Sequence, residues 1–195
     1  MEFNLADLFE CVADTVPDRE ALVWRDRRLT YRELDERATR MAHALATAGV
    51  GPGDHVGLYT YNRPEFLEAM IGAYKLRAVP YNVNYRYVAE ELAYLLENAD
   101  TVALVHGREF GPVVASVRER VPTLRATFAV EDGSGAPLAG DAHPYEEALA
   151  AASPVRDFGP RSADDIYLLY TGGTTGMPKG VMWRQEDIFF ATLGG

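Results

Sequence analysis

Four short apolar runs recur at nearly even steps along this chain. HVGLYT (55–60), VPYNV (79–83), TVALV (101–105) and ATFAV (126–130) begin 22 to 25 residues apart. Each has the length of a strand and is bounded by turn or helical residues. Helical patterns fill the gaps at 64–76, 88–98 and 108–119, and Pro64 suits a first helical turn. Strands and helices alternating at this spacing imply βαβ units. The expected fold is therefore α/β, a mostly parallel sheet with flanking helices. No sequence repeat accompanies the spacing.

The flanks carry local signals of their own. LADLFECVADTV spaces Leu5, Leu8, Phe9, Val12 and Val16 as the apolar face of a helix that Pro17 ends. ALVW and RLTY, separated by the charged turn RDR, read as a hairpin. Thr30 and Glu33 have capping-box spacing, with Thr30 as N-cap. Leu34, Ala38, Met41 and Leu45 continue one face of that helix, and Gly49 caps its end. GVGPGD (49–54) precedes a strand instead of following one, so it reads as a cap and turn. EDGSGAPLAGDA and SPVRDFGPRSADD are irregular connections. IYLLY (166–170) is continuously apolar, as expected of a strand buried on both faces.

Composition narrows the function classes. At 195 residues and 48% hydrophobic, the chain can bury roughly two thirds of its unfolded surface. Nineteen basic against 29 acidic residues leave a charge of −10, which argues against nucleic acid as a partner. Cys11 is the single cysteine, so no internal disulfide forms, and it reads as a buried or half-buried structural thiol. The start, MEFNLADLFE, lacks the basic residues of a secretory signal, and no apolar run approaches the roughly 18 residues of a membrane span. The expected location is cytoplasmic. His43, His55, His106 and His143 show no metal-ligand spacing, and His43, off its helix's apolar face, is expected in solvent. Ser134 sits in too polar a loop to serve as a nucleophile. YNVNYRY sets Tyr81, Val83, Tyr85 and Tyr87 against Asn82, Asn84 and Arg86. It reads as a two-faced extended segment, with an acyl pocket or subunit contact as the functional alternative.

The stretch that points to chemistry is YTGGTTGMPKGVMW (170–183). Gly172, Gly173 and Gly176 permit positive φ and bring backbone N–H groups close to an anion. Thr171, Thr174 and Thr175 add hydroxyls, and Lys179 adds a full charge behind Pro178. The common phosphate loop places its lysine directly after the last glycine and opens a helix. Here Met177 and Pro178 intervene, and GVMW follows as a returning strand. The loop is thus expected to join two strands, holding its anion without a helix dipole. On residue types alone, a glycine-rich turn with an incidental lysine remains the alternative.

YTGGTTGMPKGV resembles the phosphate-binding signature of the adenylate-forming enzymes, the family of acyl-CoA synthetases, luciferases and peptide-synthetase adenylation domains. Gly172 stands where that signature usually has serine. The similarity extends upstream from LTYRELDERATRMAHALATAGVGPGD through NVNYRYVAEELAYLLENAD, and Arg77 stands where glycine is frequent. It is greatest toward actinobacterial fatty-acyl-CoA synthetases. The resemblance implies an acid–CoA ligase that adenylates a carboxylate with Mg-ATP and passes the acyl group to coenzyme A. It implies that Thr171, Gly172, Gly173, Thr174, Thr175 and Gly176 embrace the triphosphate. Lys179 would then neutralise the leaving pyrophosphate, and Thr171 would lie near Mg2+. A carboxylic acid of the fatty-acyl type is the implied partner. A non-catalytic nucleotide-binding module and a ligase using a carrier-protein thiol are the other readings. The family's later motifs for adenine, ribose and the C-terminal lysine do not occur, so residues 1–195 are expected to be the N-terminal part of an AMP-binding domain, truncated, without a second domain and inactive alone.

Overall fold

The computed structural model describes residues 3–172 and 177–193. Helix α1 (Leu5–Thr15) starts on Asn4, whose side chain accepts a hydrogen bond from the Ala6 amide at 2.9 Å. Strands β1 (Glu20–Trp24) and β2 (Arg27–Thr30) form the expected antiparallel hairpin. Helix α2 (Tyr31–Thr47) opens with the full capping box: Glu33 N donates to Thr30 Oγ1 at 3.2 Å, and Thr30 N donates to the Glu33 carboxylate at 2.8 Å. Such a cap stabilises the helix by about 1 kcal/mol.

The alternation then unfolds as β3 (His55–Tyr59), α3 (Pro64–Lys75), β4 (Val79–Asn82), α4 (Ala89–Asn98), β5 (Thr101–Gly107), α5 (Gly111–Val117), β6 (Ala126–Val130), β7 (His143–Pro144) and α6 (Tyr145–Ala151). The five strands pair in parallel in the order β4-β3-β5-β6-β7. On one face α2, α3 and α6 pack Met41, Leu45, Ala69, Ala73 and Leu149 against Val56, Leu58, Val105 and Phe128. On the other, α4 and α5 pack Leu92, Leu96, Val114 and Val117 against Tyr81 and Leu104. The strand order reverses beside β3, since β4 lies to one side of it and β5 to the other. In open parallel sheets, ligands bind beyond the carboxyl ends of the strands at such a reversal.

Several expectations need correction. The pattern at 108–119 is a two-turn α5 flanked by 3-10 turns at 108–110 and 118–120, not one helix. In α1, Val12 is 42% exposed, and the helix buries Ala6 and Ala13, the small side chains that let it sit close to α2 and α3. Cys11 is exposed, because it lies on the outer side of that helix. His43 is half-buried rather than free in solvent: its Nε2 sits 2.8 Å from the Val155 carbonyl oxygen and its ring packs on Phe158. In YNVNYRY the alternation holds through Tyr81–Asn84, then breaks in a turn that leaves Tyr85 exposed.

A buried ion-pair network fixes the irregular connection that follows α6, residues 152–165. Lys75, fully buried at the end of α3, donates to Asp35 of α2 at 2.8 Å and to Glu10 of α1. Arg156 donates to the same Asp35 at 2.8 Å, and Arg161 to the same Glu10 at 2.9 Å. Two arginines of the irregular segment thus bind both carboxylates that neutralise Lys75. Burial penalises each charge, and the shared hydrogen bonds offset that penalty. No helix among the described residues is long and apolar enough to cross a membrane.

Candidate functional site: the glycine-rich hairpin

Strand β8 (Ile166–Thr171) and strand β9 (Lys179–Arg184) form the expected strand–loop–strand unit, and α7 (Gln185–Leu193) follows. The ladder is antiparallel and runs from Ile166↔Arg184 to Thr171↔Lys179. The hairpin pairs with itself and stays outside the parallel sheet. Leu168 is buried, with Ile166 and Tyr170 packed beside the α4–α5 cluster, whereas Leu169, Met182 and Trp183 are 43%, 56% and 46% exposed. IYLLY is therefore buried on one face only, which corrects the two-faced expectation. A five-residue apolar run does not by itself reveal whether a second layer covers it.

The base of the hairpin is fastened to the sheet by aromatic side chains. The Tyr170 ring lies 5.4 Å from that of Tyr81, and its hydroxyl donates to Asn98 Oδ1 at 2.9 Å. Tyr81 and Thr101 hydroxyls are 2.6 Å apart, and Thr101 donates onward to the Leu96 carbonyl, so Tyr81 is the donor in the pair. Burial raises the Tyr81 and Tyr170 hydroxyl pKa values, which keeps both as neutral donors. Across the ladder, Tyr170 faces Gly180. A Cβ on Gly180 would lie 3.0 Å from Leu168 Cδ1 and 3.2 Å from Tyr170 Cζ. The glycine lets Tyr170 cover the strand. Gly180→Val is expected to cost about 1–3 kcal/mol by overpacking, read as a lower denaturant midpoint; an unchanged midpoint would show that Tyr170 does not need this contact.

The entry and the exit of the hairpin are both tied to the residues that open α1. Asp165 accepts from Arg77 Nε at 3.0 Å and Nη2 at 2.8 Å, and from Asn4 Nδ2 at 3.0 Å. Gln185, fully buried, accepts from the Leu5 amide at 2.8 Å. Arg77 itself has φ 63°, the left-handed region that favours glycine. This explains why glycine is frequent there in the resembling family, and what arginine adds: a bidentate ion pair that anchors the start of β8.

The structure brings Thr171 and Lys179 together as the last cross-strand pair before the loop. Both are exposed, Lys179 makes no ion pair among the described residues, and a Cβ on Gly172 would meet nothing within 4 Å. Gly173, Thr174, Thr175 and Gly176 lie outside the described residues. Beside Gly172 is a cavity of about 250 Å³ lined by Thr60, Asn62, Asn82, Asn84, Tyr85 and Tyr170, among others. It opens beyond the carboxyl ends of β3 and β4. Thr60 is buried, and its hydroxyl has no hydrogen-bond partner among the described residues. Sequence reasoning missed Thr60 and Asn62. Their signal was position alone: Thr60 directly follows the apolar strand β3, and Asn62 lies two residues further on, before α3.

A family model described as AMP-binding enzyme matches residues 9–195. The 3-oxocholest-4-en-26-oate–CoA ligase of Rhodococcus rhodochrous is 52% identical over 196 residues, which cover 100% of this chain and 35% of that protein. The medium/long-chain-fatty-acid–CoA/3-oxocholest-4-en-26-oate–CoA ligase of Mycobacterium tuberculosis (strain ATCC 25618 / H37Rv) is 53% identical over 194 residues, 98% of this chain and 35% of that protein. The chain spans about a third of the length of these curated relatives. The crystal structure of the anthranilate CoA ligase AuaEII, in complex with anthranoyl-AMP, superposes with a TM-score of 0.89 at 27% identity, covering 98% of this chain and 37% of that one. By the match over residues 9–195, by these relatives and by the shared fold, the chain belongs to the AMP-binding enzyme family.

Proposed function

We propose that this chain is the N-terminal, phosphate-binding part of an ATP-dependent acid–CoA ligase whose acid is a fatty or steroid carboxylate. In that reaction a carboxylate oxygen attacks the α-phosphorus of ATP and pyrophosphate leaves with the electrons of the broken P–O bond. The thiol of coenzyme A then attacks the acyl carbon, AMP leaves, and the thiol proton goes to solvent. Charge shifts among phosphoryl oxygens, so positioned donors are what the protein must supply. Backbone amides and hydroxyls of Thr171–Gly176 would surround the triphosphate, and Lys179 would sit against the departing pyrophosphate.

One observation carries this reading: Thr171 and Lys179 are cross-strand partners that close the loop beside an open Gly172. The residues fit a polyphosphate, since the lysine is exposed and without an ion pair among the described residues, and Gly172 has room for a phosphate oxygen. Among the described residues no cluster of three His, Cys, Asp or Glu side chains suits a metal. Thr171, exposed at the mouth of the loop, would help hold Mg2+, which would supply charge neutralisation beside the phosphates. The acid class follows the names of the relatives. A cytoplasmic location goes with the reading, because ATP and coenzyme A are its substrates.

The test is acid-dependent exchange of labelled pyrophosphate into ATP by the complete enzyme, with dodecanoate as the acid and coenzyme A thioester formation as the second readout. Exchange that needs the acid is expected. Exchange no faster than the acid-free background would overturn the reading.

A further inference from the structure

Away from the glycine-rich hairpin, a crevice of about 340 Å³ opens between the β1–β2 hairpin and the first turns of α3. Leu22, Val23 and Trp24 form one wall, and Phe66 and Leu67 the other. Phe66 also packs onto the main core, so this wall is fixed. Val23 is 48% exposed, and the apolar lining faces solvent. The volume lies within the range of small-molecule sites, roughly 300–1,000 Å³.

Two guanidinium groups lie on the ring of its Trp24 wall; Arg63 also lines the crevice, and Arg25 stands outside the lining. Arg25 lies 4.5 Å and Arg63 5.3 Å from the centroid of the Trp24 ring. Arg63 is held rigidly, donating to Glu65 at 3.0 Å and to the Glu131 carbonyl at 2.7 Å. Arg25 pairs with no carboxylate among the described residues, in a chain whose net charge is −10. Apolar walls beside an unneutralised cation suit a ligand with one apolar chain and one anionic head. Asn62 lines this crevice and also the cavity beside Gly172, so the two are neighbours.

We infer that this crevice is a second binding site for a free fatty carboxylate, with its chain between Trp24 and Phe66 and its head on Arg25. The inference stands on this geometry and does not depend on the adenylation reading. The two fail separately, because one is read by pyrophosphate exchange and the other by the local environment of Trp24.

The protein has two tryptophans, Trp24 and Trp183. In the Trp183→Phe chain, Trp24 fluorescence reports on the crevice alone. Monomeric 12-bromododecanoate is expected to quench it saturably, with dodecanoate competing and dodecylammonium failing to compete. Arg25→Glu, at an exposed residue without a described ion pair, is expected to weaken this binding about tenfold, from loss of a charge-assisted contact. The reciprocal Trp24→Phe chain, which keeps Trp183, is expected to show no saturable quenching. Absent or unsaturable quenching of Trp24, equal affinity in Arg25→Glu, or quenching only by vesicles of brominated phosphatidylglycerol would each overturn the inference. The last result would assign the surface to a membrane instead.

Discussion

Lys75→Ala is expected to destabilise the chain by about 3 kcal/mol, the lower end of the 3–5 kcal/mol cost of breaking a buried ion pair. The side chain is fully buried, and its removal leaves Glu10 and Asp35 facing a cavity with one cationic partner fewer each. Arg161 and Arg156 still reach those carboxylates, which is why the lower end applies. For a chain of this size each kcal/mol moves the thermal midpoint by about 2–4 °C, so a fall of about 6–12 °C is expected. An unchanged midpoint would show that the two arginines alone satisfy the cluster.

The same cluster has a pH signature with a definite sign. Burial pushes the Glu10 carboxyl up, but hydrogen bonds from Arg161 and Lys75 outweigh it and hold the pKa below its ordinary value of 4.5. A depressed carboxylate pKa contributes stability that is present above 4.5 and is lost as pH falls through the folded value. Without Lys75 one lowering partner is gone. The acid-sensitive part of the stability should therefore shrink, measured as the dependence of the urea midpoint on pH below 4.5. His106 acts in a higher window: burial lowers its pKa below 6.5, so its contribution is present above 6.5 and is lost on acidification.

Lys179→Ala in the complete enzyme is expected to slow acid-dependent pyrophosphate exchange by about 10- to 100-fold. That range corresponds to losing one charge-assisted contact to the phosphates, about 1.5–3 kcal/mol. Stability should barely move, because Lys179 is exposed and makes no described ion pair. Lys179→Arg keeps the charge on a different shape, so partial recovery of exchange would separate electrostatic neutralisation from positioning. An unchanged exchange rate in Lys179→Ala would remove the residue from the mechanism.

What could be read from the sequence was local or periodic. The Thr30–Glu33 box is a three-residue relation, and the strands at 55–60, 79–83, 101–105 and 126–130 announce themselves by length and spacing. β7 gave no such signal, since a two-residue strand carries no period. The hairpin was legible as a motif, because Gly172, Lys179 and Gly180 lie within nine residues. What Gly180 is for was not legible, because its neighbour Tyr170 is a cross-strand partner. The Lys75 network was hidden for a related reason: Glu10 is 65 and Asp35 40 residues away, and only the fold brings them together. Arg77 showed merely as an arginine in place of a frequent glycine. Its ion pair with Asp165, 88 residues on, gives that departure its meaning.

The contacts of Asn4 with Asp165 and of Leu5 with Gln185 close loops of 161 and 180 residues, nearly the whole chain. Closing such loops is entropically late, and contacts of this separation form slowly. During synthesis, Leu5 emerges long before Gln185 exists to accept its amide. The five-stranded sheet can assemble in that interval from neighbouring βαβ units, while α1 lacks its partners on the hairpin. The loop that carries Lys179 is then anchored in the step that seats α1. In time as well as in space, the candidate site is a junction between the first helix and the β8–β9 hairpin.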